Sequence, residues 1–414
     1  MEKILVIAES INVEDSSGSK ANVAFIKNLH EAGFELMVYH YTRQEIQLNA
    51  IPCFAIKENR RSLYFFLSRI ERHLRKTLKL DIHRPLENLF GFSFTLFNDR
   101  DSIAKSVREF NDFTPDYILT LSKGGSFRPH QALLKIPELH SKWIAYMHDP
   151  YPMHLYPPPF AWVEAGQFKK WEFVKNISEK AAYTAFPSEL LKDWMGSYFP
   201  EFLTNSIIIP HQISNIEYND IKLPEFFDAT KFNILHAGTL LEPRDPKPLV
   251  NAFIKLAQKF PESAVETNLI FIGKSANYQE WLQEKARALE NLHIVSGGLS
   301  YETVRKLQDL ASVNVILDAK SQISPFLPGK FPHCVEANKP ILLLGPELSE
   351  SKRLLGKNYP YWSQVTDENR ITVVLEQMYL EWKNGAEGFR LNRKDLEQYL
   401  SHGHLRKVIK SLPQ

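Results

Sequence analysis

The sequence predicts an α/β protein of two doubly wound, Rossmann-like domains facing each other across a cleft, and three observations carry that prediction. Short apolar runs alternate with helix-patterned segments from the first residues onward, the order in which parallel β-α-β units are built. The alternation breaks over residues 212–230 and then restarts. Finally, 414 residues exceed what one core organises, since domains usually run about 100–200 residues.

The first half opens with Ile4-Leu-Val-Ile-Ala8, a run short and apolar enough for a buried strand. A polar turn over Glu9 to Lys20 follows, and then Ala21 to Gly33, apolar at helical spacing and closed by glycine. Phe34 to His40 is the next strand. Further strands are expected at Asp116–Ser122, Trp143–Met147, Ala182–Phe186 and Ser206–Pro210. The stretch from Gln212 to Thr230, with Asn215, Asn219, Asp220 and Pro224, is read as a linker, placing the first domain at 1–211. The second domain, 231–390, alternates again. Its strands are expected at Asn233–His236, Asn268–Gly273, Leu292–Val295, Val313–Asp318 and Pro340–Leu344. Helices at Pro246–Phe260, Tyr278–Leu289 and Tyr301–Ala311 separate them, and residues 391–414 form a terminal helical segment that returns to the first domain.

Composition excludes several classes. Hydrophobic residues at 44% and charged ones at 24% are those of a globular chain, not a disordered one. Fifty Lys and Arg against 48 Asp and Glu leave +2, so nucleic acid is not expected as a partner. Cys53 and Cys334 are too few for a disulfide framework and fit a reducing cytoplasm. The N-terminal apolar run is too brief for a signal peptide, and no run approaches the roughly 18 apolar residues of a membrane span, so membrane contact is expected only as peripheral.

Two segments carry the chemistry. In Phe232-Asn-Ile-Leu-His-Ala-Gly238-Thr239, a strand runs into a glycine that lets backbone approach a phosphate, and Arg244 follows with a fork that can bridge two phosphate oxygens. The bland reading is a solvated loop Arg beside Asp245. In Pro328-Gly329-Lys330, a helix start points free N–H groups and a cation at an anion. His148 follows the strand ending at Met147 and so sits at the carboxyl edge of its sheet, where ligands bind, stiffened by Asp149-Pro150; its alternative is a capped loop His. The loops Ser16-Ser-Gly18-Ser-Lys20 and Lys123-Gly-Gly-Ser126 each follow a strand and are either ligand loops or plain turns. No G-x-G-x-x-G fingerprint is present, which argues against a dinucleotide oxidoreductase. The fourteen His do not fall at metal-ligand spacings, so no metal site is expected.

Taken in order, the Ser/Gly loop, Tyr146-Met-His148-Asp-Pro150, Phe186-Pro-Ser188, Ile209-Pro-His211, the Gly238 turn, Phe271-Ile-Gly273, Val295-Ser-Gly297 and Pro328 to Leu344 resemble the GT-B glycosyltransferases, closest to the retaining family 4 group. The likeness spans nearly the whole chain. It implies a sugar moved from a nucleotide diphosphate donor to a hydroxyl of a surface glycan or lipid-linked acceptor, without metal or cofactor. It also implies that Arg244, Thr239 and Lys330 bear the phosphates, with Gly18, Gly238 and Gly329 lining the donor site, Gly297 near the base and His148 on the sugar. The chain departs from the family twice. Thr239 stands where an Arg is usual, and the usual pair of Glu residues falls on Pro325 and His333. Either His333 or Glu336 takes the ribose, or both are structural. Two other readings stay open: a non-catalytic GT-B partner subunit and a nucleotide-sugar epimerase of the same fold.

One segment lies outside the alternation. Over residues 60–97, Arg60, Arg61, Arg69, Arg72, Arg75 and Lys76 mix with Tyr64, Phe65, Phe66, Phe90 and Phe94. Such a stretch either rests on an anionic membrane face, or packs its Phe inward beneath a solvated basic face.

Overall fold

The run Lys3-Ile-Leu-Val-Ile-Ala8 is apolar toward both faces, and only the middle of a parallel sheet buries a strand on both sides. In the computed structural model, which describes residues 2–77, 79, 82–109, 113–214, 221–275, 277–385 and 388–413, this strand holds that position. The linker residues Asn215, Asn219 and Asp220 lie outside the described residues. The chain forms two compact units, the first from Met1–Tyr156, Phe160–Gln212 and His402–Gln414, the second from Pro157–Pro159 and Ile213–Ser401.

The first unit carries β1 (Lys3–Ala8), β2 (Glu35–His40), β3 (Cys53–Ala55), β4 (Tyr117–Leu121), β5 (Trp143–Tyr146), β6 (Tyr183–Phe186) and β7 (Ser206–Ile208). They pair in parallel in the order β3-β2-β1-β4-β5-β6-β7, with Ile4 beside Leu36 on one side and Tyr117 on the other. Leu5, Ile7, Trp143 and Phe186 fill the core on one face, and Ile4, Val6, Leu119 and Tyr146 fill it on the other. Burying each such side chain contributes about 1.5–3 kcal/mol.

The first helix, Ser17–Glu31, begins earlier than the apolar spacing suggests. Ser16 is extended and its hydroxyl accepts from Ser19 N at 3.1 Å, which starts the helix four residues before Ala21. Gly18 therefore lies in a helical turn, not in a loop. Between β3 and β4 the chain inserts three helices, Leu63–Thr77, His83–Phe90 and Phe94–Arg108. The helix His402–Lys410 packs on Ser17–Glu31, burying Leu405 and Ile409 in the core of the first unit.

The second unit carries β8 (Phe232–Ala237), β9 (Thr267–Ile272), β10 (Leu292–Val295), β11 (Val313–Leu317), β12 (Ile323–Ser324), β13 (Ile341–Leu344), β14 (Leu348–Ser349) and β15 (Trp362–Ser363). Its main sheet is parallel in the order β10-β9-β8-β11-β13-β15, the same winding as the first. Helices Lys247–Lys259 and Glu368–Lys383 cover one face through Leu249, Phe253, Ile371 and Tyr379. Phe227 packs beside Leu235 and Ile270, so the residues just before β8 already belong to this unit's core. Cys53 and Cys334 are both buried free thiols.

Candidate functional site

In the second unit the winding reverses between β8 and β11. Crossovers leave these neighbours in opposite directions, so their carboxyl ends open a crevice where doubly wound sheets bind ligands. Gly238 follows β8 there. Its φ of 155° and the φ of 130° at Gly273, after β9, are glycine conformations, and a Cβ at Gly273 would stand 2.6 Å from Gly238 O. Gly238 N donates to Ile272 O at 2.8 Å and Leu240 N to Lys274 O at 2.8 Å, which folds the turn back over the end of β9.

Lys330 reaches this turn from the start of the helix Phe331–Glu336. Its Nζ lies 3.2 Å from where a Cβ on Gly238 would be, 3.2 Å from His236 Nδ1 and 3.5 Å from Val315 O. Burial of the ammonium end, with Arg244 adding to it, lowers the Lys330 pKa to about 7. His236 is buried beneath it, and burial together with Lys330 holds its imidazole neutral. Arg244 completes the group: its Nη1 is 3.4 Å from Thr239 O, and its buried Nε has no partner among the described residues. Asp318, at the end of β11, is buried, its carboxyl pushed up by burial against the pull of Arg244, and its Oδ2 has no partner among the described residues. Two poised cations, a glycine turn and the exposed hydroxyl-bearing Thr239 thus meet at one sheet edge, an arrangement able to hold an anion with several oxygens.

His333 and Glu336 sit one turn into the following helix with different surroundings. Glu336 Oε2 accepts from Arg305 Nη2 at 2.6 Å, and the fully buried Arg305 also donates to His333 O at 3.3 Å. Glu336 therefore anchors a buried cation; burial pushes its pKa up to about 7, against Arg305, which lowers it. His333 Nε2 is 3.2 Å from Tyr301 OH, which is 3.3 Å from Ser214 Oγ. Gly329 and Gly297 are open, with no described atom beyond their chain neighbours within 4 Å of a Cβ built on either.

The first unit reverses its winding between β1 and β4. Gly18 packs there, its Cβ position 3.4 Å from Gly124 N. Glu9, buried at the end of β1, accepts from Ser126 Oγ at 2.5 Å, Lys123 N at 3.2 Å and Arg128 Nη1 at 2.6 Å. Lys123 pairs with Asp15 at 2.5 Å and Arg128 also with Asp99 at 2.7 Å, so the cations at this edge are already neutralised. His148, two residues after β5, is buried at 7% exposure with Nε2 unpartnered among the described residues. Its ring stacks at 5.9 Å on His211 and meets Tyr146 at 4.6 Å; burial first, then His211 and His130, hold it neutral.

The structure thus brings Gly238, Thr239, Arg244 and Lys330 together, with His333 and Glu336 close behind on one helix. Gly297 follows β10, two strands from β8 in the same parallel sheet, and Gly18 and His148 lie in the first unit. Sequence reasoning passed over His236, Lys274 and Asp318. Each sits at the carboxyl end of a strand, which is the signal that was available. Among the described residues no group of three or more His, Cys, Asp or Glu is placed to hold a metal ion, and no helix is long and apolar enough to cross a membrane.

No family model and no curated protein sequence matches the chain. Solved structures do. A trehalose-6-phosphate synthase from E. coli bound with UDP-2-fluoro glucose aligns with a TM-score of 0.61 over 99% of this chain and 98% of its own, at 11% identity. A UDP-forming α,α-trehalose-phosphate synthase from Burkholderia xenovorans in complex with glucose-6-phosphate gives 0.61 over 99% of each chain, at 11% identity. An α,α-trehalose 6-phosphate synthase from Burkholderia multivorans gives 0.58 over 98% and 95%, at 10% identity. Likeness at that identity is likeness of architecture, and over nearly the full length it shows that this chain has the GT-B fold of two parallel-sheet α/β units.

Proposed function

We propose that the chain is a glycosyltransferase that takes its sugar from a nucleotide diphosphate donor held by the second unit. The observation that carries this is the β8–β11 edge, where the Gly238 turn, the unpartnered Arg244 Nε and the inward Lys330 meet without a carboxylate bonded to either cation among the described residues. In this reading the backbone at Gly238 and the Thr239 hydroxyl approach the diphosphate, Arg244 bridges its oxygens, and Lys330 meets the charge that builds as the sugar–oxygen bond breaks. Lys274, exposed at the end of β9, supplies the cation that Thr239 does not. Since Glu336 is engaged with Arg305, the ribose falls to His333. His148 is assigned to the sugar by family likeness, and its neutral ring with a free nitrogen suits a hydroxyl. Retention, with the leaving phosphate accepting the acceptor's proton on the same face, is likewise carried by the family. The acceptor is a hydroxyl of a glycan or lipid-linked intermediate.

The test is a panel of nucleotide sugars, beginning with the uridine series that the structural neighbours' names carry, scored for release of nucleoside diphosphate and for binding by calorimetry. Binding and turnover are expected, both lost in Arg244→Ala. The absence of any nucleotide binding would overturn the assignment. The two missing Glu residues favour one second reading, a non-catalytic partner subunit, and binding without turnover across a broad acceptor panel would select it.

A further inference from the structure

A helix on a globular surface normally turns its apolar stripe toward the core. The helix Leu63–Thr77 turns Tyr64, Leu67 and Leu74 partly inward but leaves a second apolar stripe outside. Of its fifteen residues only Ser68 is buried, and it packs on the helix Phe94–Arg108 through Tyr64, whose ring lies 5.3 Å from that of Phe97. Leu63, Phe66 and Ile70, spaced three and four apart on one stripe, point into solvent at 72%, 55% and 54% exposure. The next helix, tied to the first by His83 Nδ1 and Glu71 Oε1 at 2.9 Å, also exposes Leu89 and Phe90. The segment bonded to that helix through Gly166 N and Asn88 Oδ1 at 3.0 Å bears Val163 and Phe168, both 83% exposed. Seven of the fourteen large exposed hydrophobics among the described residues are therefore gathered in this part of one unit. So much apolar surface calls for a covering partner.

Charge says which partner. Residues 60–90 hold eight Lys and Arg against three Asp and Glu, net +5 in a chain whose total is +2. Arg69 and Lys76 border the stripe on one side at helical spacing, and both are exposed. Arg69 lies 4.6 Å over the Phe65 ring, which holds its charge beside the apolar surface. We infer that this face is an interfacial membrane-docking surface: the helix lies flat on an anionic bilayer, with Leu63, Phe66 and Ile70 at the acyl boundary and the flanking cations among the headgroups. A neutral apolar groove on another protein would leave the net positive charge uncompensated. This inference does not depend on the glycosyltransferase reading.

The experiment is sedimentation of the full chain with vesicles of phosphatidylcholine alone and with about 30% phosphatidylglycerol. Binding is expected only to the anionic vesicles and weakens as salt is raised. Each cation near the surface is worth roughly fivefold in affinity, so neutralising Arg69, Arg72, Arg75 and Lys76 together lowers binding by at least about 100-fold. The triple variant Leu63→Gln/Phe66→Gln/Ile70→Gln also abolishes binding, whereas Val265→Gln, on an equally exposed residue of the second unit, leaves it intact. In Phe66→Trp, the indole emission shifts to the blue on anionic vesicles. Equal binding to neutral vesicles, or an unshifted indole emission in that variant, would overturn the inference. So would concentration-dependent dimerisation that the triple variant breaks in the absence of lipid, which would make the face a self-association surface.

Discussion

Lys330 gives the sharpest test of the proposed donor site, because its ammonium is held partly uncharged before any ligand arrives. Burial lowers its pKa to about 7 from an ordinary 10.5. At pH 8 roughly nine-tenths of the molecules then carry a neutral amine at this position. A nucleoside diphosphate is fully ionised at that pH, and its oxygens beside Nζ draw the proton back on. Binding should therefore take up about 0.9 proton at pH 8 and about 0.1 at pH 6, with affinity falling close to tenfold between pH 8 and pH 9. The full shift sets a ceiling of about 5 kcal/mol on the coupling, and solvent at the partly exposed side chain brings it lower. The assay is titration calorimetry of the nucleoside diphosphate that binds in the panel, run in two buffers of different ionisation enthalpy. Lys330→Met should bind more weakly and take up no proton. Heats that do not depend on the buffer at pH 8, or an uptake that persists in Lys330→Met, would refute the reasoning. The same shift acts on folding with a defined sign: between pH 7 and 10.5 the unfolded chain binds more protons than the folded one, so this group's contribution to stability rises with pH across that window.

Gly238→Ala places a Cβ 3.2 Å from Lys330 Nζ at a φ of 155°; it should cost about 1–3 kcal/mol in a urea melt and displace the ammonium, abolishing diphosphate binding. Arg305→Met removes the buried partner of the Arg305–Glu336 pair and leaves a half-buried carboxyl without its cation, an expected loss of about 1–3 kcal/mol by denaturant titration; adding Glu336→Gln should recover part of it. Leu405→Ala should destabilise the first unit by about 2–5 kcal/mol, read as the earlier of two transitions in a thermal scan.

Most strands were legible because a parallel sheet demands side chains apolar on both faces, and runs such as Ile4 to Ala8 or Ile341 to Leu344 satisfy nothing else. β3 escaped notice because three residues, Cys53 to Ala55, show no period. The start of the first helix escaped because the hydroxyl of Ser16, not an apolar side chain, sets it. In the candidate site, Gly238, Arg244 and Lys330 could be picked out from turn and helix-start chemistry alone. His236 is marked only by its place at a strand end; its position under a lysine 94 residues away leaves no local signal. The Glu336–Arg305 pair, 31 residues apart, likewise leaves no spacing signal. Periodicity marks the stripe on the helix Leu63–Thr77, but not whether it faces core or solvent; only the neighbouring elements decide that.

The position of the helix His402–Lys410 has a consequence for how the chain acquires its structure. Leu405, Ile409 and Leu412 fill part of the core that begins with Ile4 and Val6. A nascent chain that has just released residue 212 therefore holds a first unit with a hydrophobic gap. Some 190 further residues must follow before it can be filled, about 10–40 s of synthesis at 5–20 residues per second. The second unit, continuous from 213 to 401 but for three residues made earlier, completes itself first. The unit begun first is thus the one completed last, and its core lacks Leu405, Ile409 and Leu412 throughout the interval.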